Sequence, residues 1–184
     1  MSNAKEFWDN AAKDPDVRYK YISDEWATTN EFLHLIEVNN DKWGKVLEIG
    51  CGIGRLIVPL ADKHPEGTFY GIDISDEMMS LAPRRENIIY GIHVLPDNLD
   101  LIYSMLVFQH IPHEEKIEYI KIAYDKLANL GTFFFQFVVG DENAPYSYQT
   151  TDEEIYKQLS LAGFRFIEFT RSMHHQWLFV RAVK

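Results

Sequence analysis

Hydrophobic and polar positions follow two periods along the chain, one typical of strands and one typical of helices. Three segments with apolar residues at helical spacing predict helices: RLIVPLADK, SDEMMSLA and HEEKIEYIKIAYDKLANLG. The apolar runs that predict strands are KVLEI, TFYGID, NIIYG, DLIYSMLVF and TFFFQFVV. This alternation of strand and helix favours a mostly parallel sheet that is covered by helices.

Local signals predict where several helices begin and end. Ser75 is the expected N-cap of the helix SDEMMSLA, and Gly131 is the expected end of the long helix that begins near His113. Thr151 and Glu154 have capping-box spacing for the helix DEEIYKQLSLA, which we expect to end at Gly163. Residues 5–40 are predicted to be helical, with a break at the proline of position 15.

The last two predicted strands, FRFIEFT and QWLFVRAV, are joined only by the short segment RSMHH. A connection this short allows an antiparallel pair, because a parallel pair needs a crossover of about a dozen residues or more. The predicted fold class is therefore α/β, a Rossmann-like doubly wound sheet of seven strands. It is mostly parallel, with one antiparallel strand near the C-terminal edge.

Composition narrows the functional classes. The chain has 184 residues, 46% of them apolar, which fits a single domain over residues 1–184. Its net charge of −10 disfavours nucleic acid as a partner, and no apolar run is long enough to predict a membrane span. One cysteine excludes an internal disulfide and a multi-thiolate metal site, so we expect a cytoplasmic protein with no metal.

The stretch KVLEIGCGIGRL contains the most specific motif, an acidic residue followed by glycines at positions 50, 52 and 54. A strand that runs into a glycine-rich turn and then a helix is expected to place backbone N–H groups against a ligand. A dinucleotide fingerprint would need a third glycine at position 55, which is Arg55. The motif thus favours another nucleoside-containing cofactor, and a nicotinamide-dependent oxidoreductase is the less favoured alternative.

The combination of VLEIGCGIG, YGIDIS and DLIYSMLVFQHIP resembles the class I S-adenosylmethionine-dependent methyltransferases of the small-molecule type. The resemblance implies that residues 44–184 form the cofactor-binding catalytic core and that residues 5–43 form a helical extension that covers the pocket as a lid. S-adenosylmethionine is the implied cofactor. The implied cofactor-binding residues are Glu48, Gly50, Cys51, Gly52, Gly54, Asp73 and Ile74.

Two of these residues have an expected role and an alternative. Asp73 lies nineteen residues after Gly54, and its carboxylate offers two acceptors to a ribose diol. Alternatively, Asp73 only starts the turn before Ser75. Glu48 is expected near the amino group of the cofactor, since a carboxylate in an apolar strand needs a partner; alternatively, it reaches solvent. The thiol of Cys51 is also explained by packing within the turn.

Candidate residues on the acceptor side are more widely spread. His110 follows the fourth strand and is the candidate general base, although a structural histidine explains the same position. The expected substrate residues are Tyr19, Tyr21 and Trp26, which together with Phe7 and Trp8 form an aromatic set in the N-terminal extension. Packing of the first helices onto the sheet is the alternative explanation for these rings.

The adenine contact is the least defined part of the predicted site. Residues 91–100 are too few for a helix and predict a loop, in which Asp97 and Asn98 are possible contacts or simply part of a turn. The chain also lacks the Asn/Asp-Pro-Pro-aromatic tetrad that methyltransferases of base and amide nitrogens share. The leading hypothesis is methyl transfer to a small molecule by in-line displacement, and the alternative is a non-catalytic cofactor sensor or partner subunit.

Overall fold

Seven strands form one sheet in a computed structural model that describes residues 2–16, 27–139, 148–173 and 176–184. The strands are β1 (Lys45–Ile49), β2 (Thr68–Ile72), β3 (Ile88–Tyr90), β4 (Leu99–Ser104), β5 (Leu127–Val138), β6 (Phe166–Arg171) and β7 (Trp177–Val183). The helices are α1 (Ser2–Lys13), α2 (Ala27–Asn39), α3 (Ile57–Lys63), α4 (Asp76–Leu81), α5 (His113–Lys126) and α6 (Asp152–Ala162), with a 3₁₀ turn at Phe108–His110.

The order of the strands across the sheet is β3-β2-β1-β4-β5-β7-β6. Strand β1 pairs in parallel with β2 and β4, and β4 pairs in parallel with β5. Strand β7 is antiparallel to both β5 and β6, so it is the one reversed strand of the sheet. The predicted fold class is confirmed, including the position of the reversed strand next to the C-terminal edge.

The sheet separates two apolar layers. Because side chains alternate across a strand, Phe133 and Phe135 of β5 pack with α5 and α6, whereas Phe134 packs with Phe32 of α2. All four rings are at most 3% exposed. Burying such a ring fully contributes about 1.5–3 kcal/mol, so the aromatic run of β5 holds helices on both faces of the sheet.

The predicted caps are confirmed. The Ser75 hydroxyl accepts a hydrogen bond from the N–H of Met78 at the start of α4. Thr151 and Glu154 form the reciprocal capping box of α6, and Gly163 ends that helix with a positive φ of 110°. These residues position both helices against the sheet as the sequence indicates.

The predicted end of α5 at Gly131 is wrong. Helix α5 ends at Lys126, and Leu127 already belongs to β5, where it is buried and pairs with Leu99. A Cβ on Gly131 would lie 2.8 Å from the carbonyl oxygen of Leu99 and 2.9 Å from that of Ala128. Gly131 is therefore needed for close contact between neighbouring backbones, and not for a helix end.

Helix α1 packs on α4 near the carboxyl end of β2. The Ser75 hydroxyl donates a hydrogen bond to Asp9 at 2.6 Å, and the Lys5 ammonium contacts both Asp9 and Asp76. Hydrogen bonding from Ser75 is the main reason that the pKa of Asp9 is lowered. These contacts fix α1 beside the turn that follows β2.

In the described part of the chain, no helix is both long and apolar enough to span a bilayer.

Candidate active site

A cavity of about 590 Å³ lies at the carboxyl ends of β1, β2 and β4. Its walls come from the turn after β1, the turn after β2, the loop after β4, the first turns of α5, and α1. In an open α/β sheet this is where ligands bind, because the strand order reverses between β1 and β4. The volume is typical of sites for small molecules and cofactors.

The glycine-rich turn after β1 is hydrogen-bonded to the end of β2. The N–H groups of Gly50 and Cys51 both donate to the carbonyl of Ile72, at 2.8 and 3.0 Å, and the N–H of Gly52 donates to Asp73 Oδ2 at 2.8 Å. The expectation that these groups face a ligand is wrong, because the neighbouring strand already accepts their hydrogen bonds. The turn instead holds the two strand ends in a fixed position.

Two of the glycines are required for different reasons. Gly50 has a φ of 75°, and a Cβ there would overlap the side chain of Val107. Gly52 has a φ of 49°, but a Cβ there would meet no atom of the described chain within 4 Å. Gly52 lines the cavity, so its missing side chain leaves open space beside the ligand position.

Asp73 lines the cavity and also starts a turn, as its alternative interpretation expects, whereas its contact with a ribose stays a prediction. One carboxylate oxygen accepts the N–H of Gly52, and the other accepts the N–H of Ser75 at 2.9 Å. Burial raises the pKa of Asp73, and the two N–H donors act in the opposite direction. Each oxygen keeps further acceptor capacity, and the carboxylate is held in one orientation before any ligand arrives.

Glu48 is only 2% exposed, so the alternative that it reaches solvent is wrong. Its Oε2 accepts a hydrogen bond from the hydroxyl of Tyr103 at 3.1 Å, and it lines the cavity together with Arg55. Burial raises the pKa of Glu48 to about 8, while the Tyr103 hydroxyl and the Arg55 charge lower it. A cationic ligand group beside this carboxyl would favour its ionised form.

Cys51 and Ile74 complete the predicted cofactor residues on the cavity wall. The Cys51 side chain is 3% exposed, and burial raises the pKa of its thiol. This supports the packing interpretation, because the thiolate is the reactive form. Ile74 is 44% exposed and presents an apolar surface beside Asp73. Gly54 lies deeper, against Val58 and Tyr90, and does not line the cavity.

His110 lies at the cavity, at the end of the 3₁₀ turn after β4. Its ring contacts that of Trp8 from α1, with ring centroids 5.5 Å apart and an interplanar angle of 71°. Trp8 therefore reaches the cavity wall, as one member of the predicted aromatic set. Tyr19, Tyr21 and Trp26 lie outside the described residues.

Asp97, one of the possible adenine contacts, lies at the amino ends of the strands, opposite the cavity. Its carboxylate pairs with Lys126 at 2.7 Å, and its carbonyl accepts a hydrogen bond from Lys45, the first residue of β1. Because the cavity lies beyond the last residues of β1, that contact is wrong for Asp97. Residues 91–98 contain no helix, as predicted.

Sequence reasoning missed three residues on one side of the cavity: Glu115, Tyr119 and Tyr148. We call this group the acceptor wall. Glu115 and Tyr119 are four residues apart on α5 and so share a helix face, which was the available signal. Tyr148 follows β5 and gives no such pattern.

Among the described residues, no cluster of His, Cys, Asp and Glu could hold a metal ion.

A sequence model of the methyltransferase domain matches residues 16–179. The chain belongs to the methyltransferase domain family. An uncharacterized methyltransferase of Staphylococcus carnosus is 32% identical over 124 residues, which cover 65% of this chain and 53% of that protein. This member of the family thus spans about half the length of the curated relatives that it matches.

One solved structure and one further relative mark the range of the methyltransferase family around this chain. Magnesium protoporphyrin IX methyltransferase of Synechocystis PCC 6803 with bound SAH superposes with a TM-score of 0.77 at 18% identity, covering 100% of this chain and 99% of that one. A tRNA (guanine-N(7)-)-methyltransferase of Clostridium acetobutylicum is 36% identical over 52 residues, 27% of this chain and 25% of that protein. The comparisons therefore do not support the exclusion of nucleic acid.

Proposed function

We propose that this methyltransferase binds S-adenosylmethionine in the cavity and transfers its methyl group to a small-molecule acceptor. The observation that carries the proposal is that Glu48, Gly52 and Asp73 lie on one cavity of about 590 Å³. Three features that the family resemblance assigns to the cofactor site thus occur together at the end of the sheet.

The residues present fit this cofactor. The oriented carboxylate of Asp73 suits a ribose diol, since each of its oxygens can accept a further hydrogen bond. Glu48 suits the cofactor's amino group, because an ammonium would compensate the cost of ionising a buried carboxyl. Gly52 leaves room for the ligand at the turn. We call the turn Gly50–Gly54 together with Glu48 and Asp73 the cofactor corner.

When bound, the cofactor supplies an electrophilic methyl group on a sulfonium. The chain itself has to align the acceptor and exclude water, and positioning of this kind can account for much of the rate of a displacement. An acceptor that arrives protonated also needs a base. His110 is the candidate base, because its ring lies on the cavity and is oriented against Trp8.

A small-molecule acceptor is supported by the shape and charge of the site. Trp8 of α1 forms part of the cavity wall, which favours an acceptor that fits into a cavity of this size. The chain has 28 acidic and 18 basic residues, so its average field repels a phosphate backbone. A nucleic-acid acceptor would have to bind against this field.

Binding and turnover test the proposal separately. Calorimetric titration with S-adenosylmethionine and S-adenosylhomocysteine should show saturable binding of one ligand per chain. Methyl-labelled cofactor is then incubated with a panel of amines, alcohols and carboxylic acids, and with bulk tRNA as a separate arm. Label on a small molecule supports the proposal, and label on tRNA alone overturns its acceptor class. Binding without transfer to any acceptor indicates a sensor, and absence of binding refutes the proposal.

A further inference from the structure

The acceptor wall carries a carboxylate, that of Glu115, for which the described residues provide no partner. Glu115 is half-buried on the cavity and forms no hydrogen bond or ion pair within the part of the chain that the structure describes. Its neighbour Glu114 is exposed and lies off the cavity. A partly desolvated carboxylate without a partner costs free energy, which a ligand of opposite charge would offset.

Aromatic side chains line the same cavity. Trp8, Tyr119 and Tyr148 all line it, and Tyr119 lies one helical turn after Glu115. The charge of Glu115 helps to raise the pKa of Tyr119, after the larger effect of burial, so the two side chains interact. Aromatic rings beside a carboxylate are the usual surroundings of a bound ammonium group, because the ring faces and the carboxylate both attract positive charge.

The ionisable groups of the cavity favour the same sign of ligand. Among the described residues, three carboxyl groups line it, those of Glu48, Asp73 and Glu115, whereas Arg55 supplies the one guanidinium. Glu48 and Asp73 belong to the cofactor corner, so Glu115 is the carboxylate that remains for the second ligand. An anionic acceptor would be repelled by this wall.

Main-chain hydrogen bonds hold Tyr148 in its position on the acceptor wall. Its N–H donates to the carbonyl of Gln109 at 2.7 Å, and its own carbonyl accepts a hydrogen bond from the Lys116 ammonium at 2.9 Å. Lys116 is 2% exposed, and burial lowers its pKa to about 8. A buried ammonium is costly, and its hydrogen bond to the Tyr148 carbonyl offsets part of that cost.

We propose that the acceptor is a positively charged small molecule whose cation is bound by Glu115 among the rings of Trp8, Tyr119 and Tyr148. This inference rests on the proposed function, because it assigns the second ligand of the same cavity. Glu115 selects the acceptor by charge, and Lys116 is a positioning residue that acts through Tyr148. Neutral molecules of the same shape bind more weakly, and anions bind least.

The test uses sets of compounds that share a skeleton and differ in charge: benzylamine, benzyl alcohol and benzoate, and the corresponding phenethyl series. Their binding to protein saturated with S-adenosylhomocysteine is measured by ligand-observed NMR at pH 7. We expect the amines to bind most tightly. In Glu115→Gln, we expect amine affinity to fall by about tenfold or more, the loss of one charge-assisted contact, with alcohol affinity unchanged.

Glu114→Gln is the matched control, because it removes a carboxylate from the same helical turn but not from the cavity; it should bind every compound like the wild type. The inference is overturned if the amines show no preference, or if Glu115→Gln keeps it. Titration of the wild type and both variants with S-adenosylhomocysteine distinguishes a failure of this inference from a failure of the proposed function. If the wild type binds S-adenosylhomocysteine but shows no preference for amines, only this inference is refuted. If it does not bind S-adenosylhomocysteine, the proposed function is refuted as well.

Discussion

The cofactor corner and the acceptor wall face the same cavity but satisfy their polar groups in different ways. In the corner, the N–H of Gly52 and the carboxylate of Asp73 bond to each other at 2.8 Å, and Tyr103 donates to Glu48. On the wall, Glu115 has no such partner within the described chain. A corner whose polar groups are held by their own hydrogen bonds suits one constant ligand, the cofactor. Side chains on the wall that lack such bonds can be substituted without breaking them, and so can suit different acceptors.

The largest effect is expected from Glu48→Gln in the corner. Burial raises the pKa of Glu48 from 4.5 to about 8, so the folded protein keeps a proton that the unfolded chain releases. The contribution of Glu48 to the free energy of unfolding of the wild type should therefore fall as the pH rises from about 4.5 to about 8. The variant lacks this loss, so we expect it to be more stable than the wild type at pH 8 by on the order of a few kcal/mol, and by little at pH 4.5. Urea unfolding without cofactor measures the stability difference between the two proteins at each pH. A stability difference that is the same at the two pH values contradicts the prediction.

Asp73→Ala should break the corner's contact with the cofactor. It removes the acceptor for the Gly52 and Ser75 N–H groups, and under the proposed function also the acceptor for the ribose. We expect the affinity for S-adenosylhomocysteine to fall by about 1.5–3 kcal/mol, measured by calorimetry. Asp76→Ala is the control, since that side chain is 82% exposed three residues away. Unchanged affinity in Asp73→Ala would place the ribose elsewhere.

Gly52→Leu tests whether the open space in the corner belongs to a ligand. Gly52 and Gly91 both have a positive φ, of 49° and 70°, and a Cβ at Gly91 would meet nothing closer than 3.8 Å. Leucine at either position should therefore cost a similar 1–2 kcal/mol or so of stability through backbone strain. Only Gly52→Leu should also weaken S-adenosylhomocysteine binding, by roughly tenfold, because its side chain enters the cavity. Equal binding by the two variants would show that no ligand uses this space.

Lys116→Met is expected to have the smallest effect, and that effect should be confined to the wall. It removes the donor to the Tyr148 carbonyl, so the hydrogen bond from the Tyr148 N–H to Gln109 should open more often. We expect amide exchange at Tyr148 to become about fivefold faster, the equivalent of about 1 kcal/mol, with unchanged affinity for S-adenosylhomocysteine. Lys121→Met, at an exposed position of the same helix, should change neither measurement. Unaltered exchange at Tyr148 would show that Lys116 does not position it.

The fold was predictable because most strands contain a short apolar run and two helices, α4 and α6, carry their own end signals. Thr151 and Glu154, for example, specify a cap through local hydrogen bonds that need no distant partner. Gly131 failed as a helix end because a glycine also serves where two backbones come close, and the strand it approaches is more than 25 residues away in the sequence. Local patterns do not distinguish the two uses of glycine.

The cofactor corner was predictable in its residues but not in its hydrogen bonding. Spacing indicated Glu48, Gly52 and Asp73, yet the direction of the Gly52 N–H depends on where β2 ends beside β1. The acceptor wall was mostly hidden, because it combines α5 with the segment after β5. Lys116, which bonds to Tyr148, was hidden as well, since nothing in its sequence position indicates that its ammonium is buried against a carbonyl.

The single cysteine of the chain makes opening of this corner directly observable. Cys51 is 3% exposed, and its N–H is bonded to the carbonyl of Ile72. Because the side chain is buried, a thiol reagent should label its sulfur faster when the turn separates from β2, so the labelling rate of the unmodified protein reports these separations. The chain thus contains a natural reporter in the cofactor corner, and any ligand that bridges the two strand ends should slow the labelling.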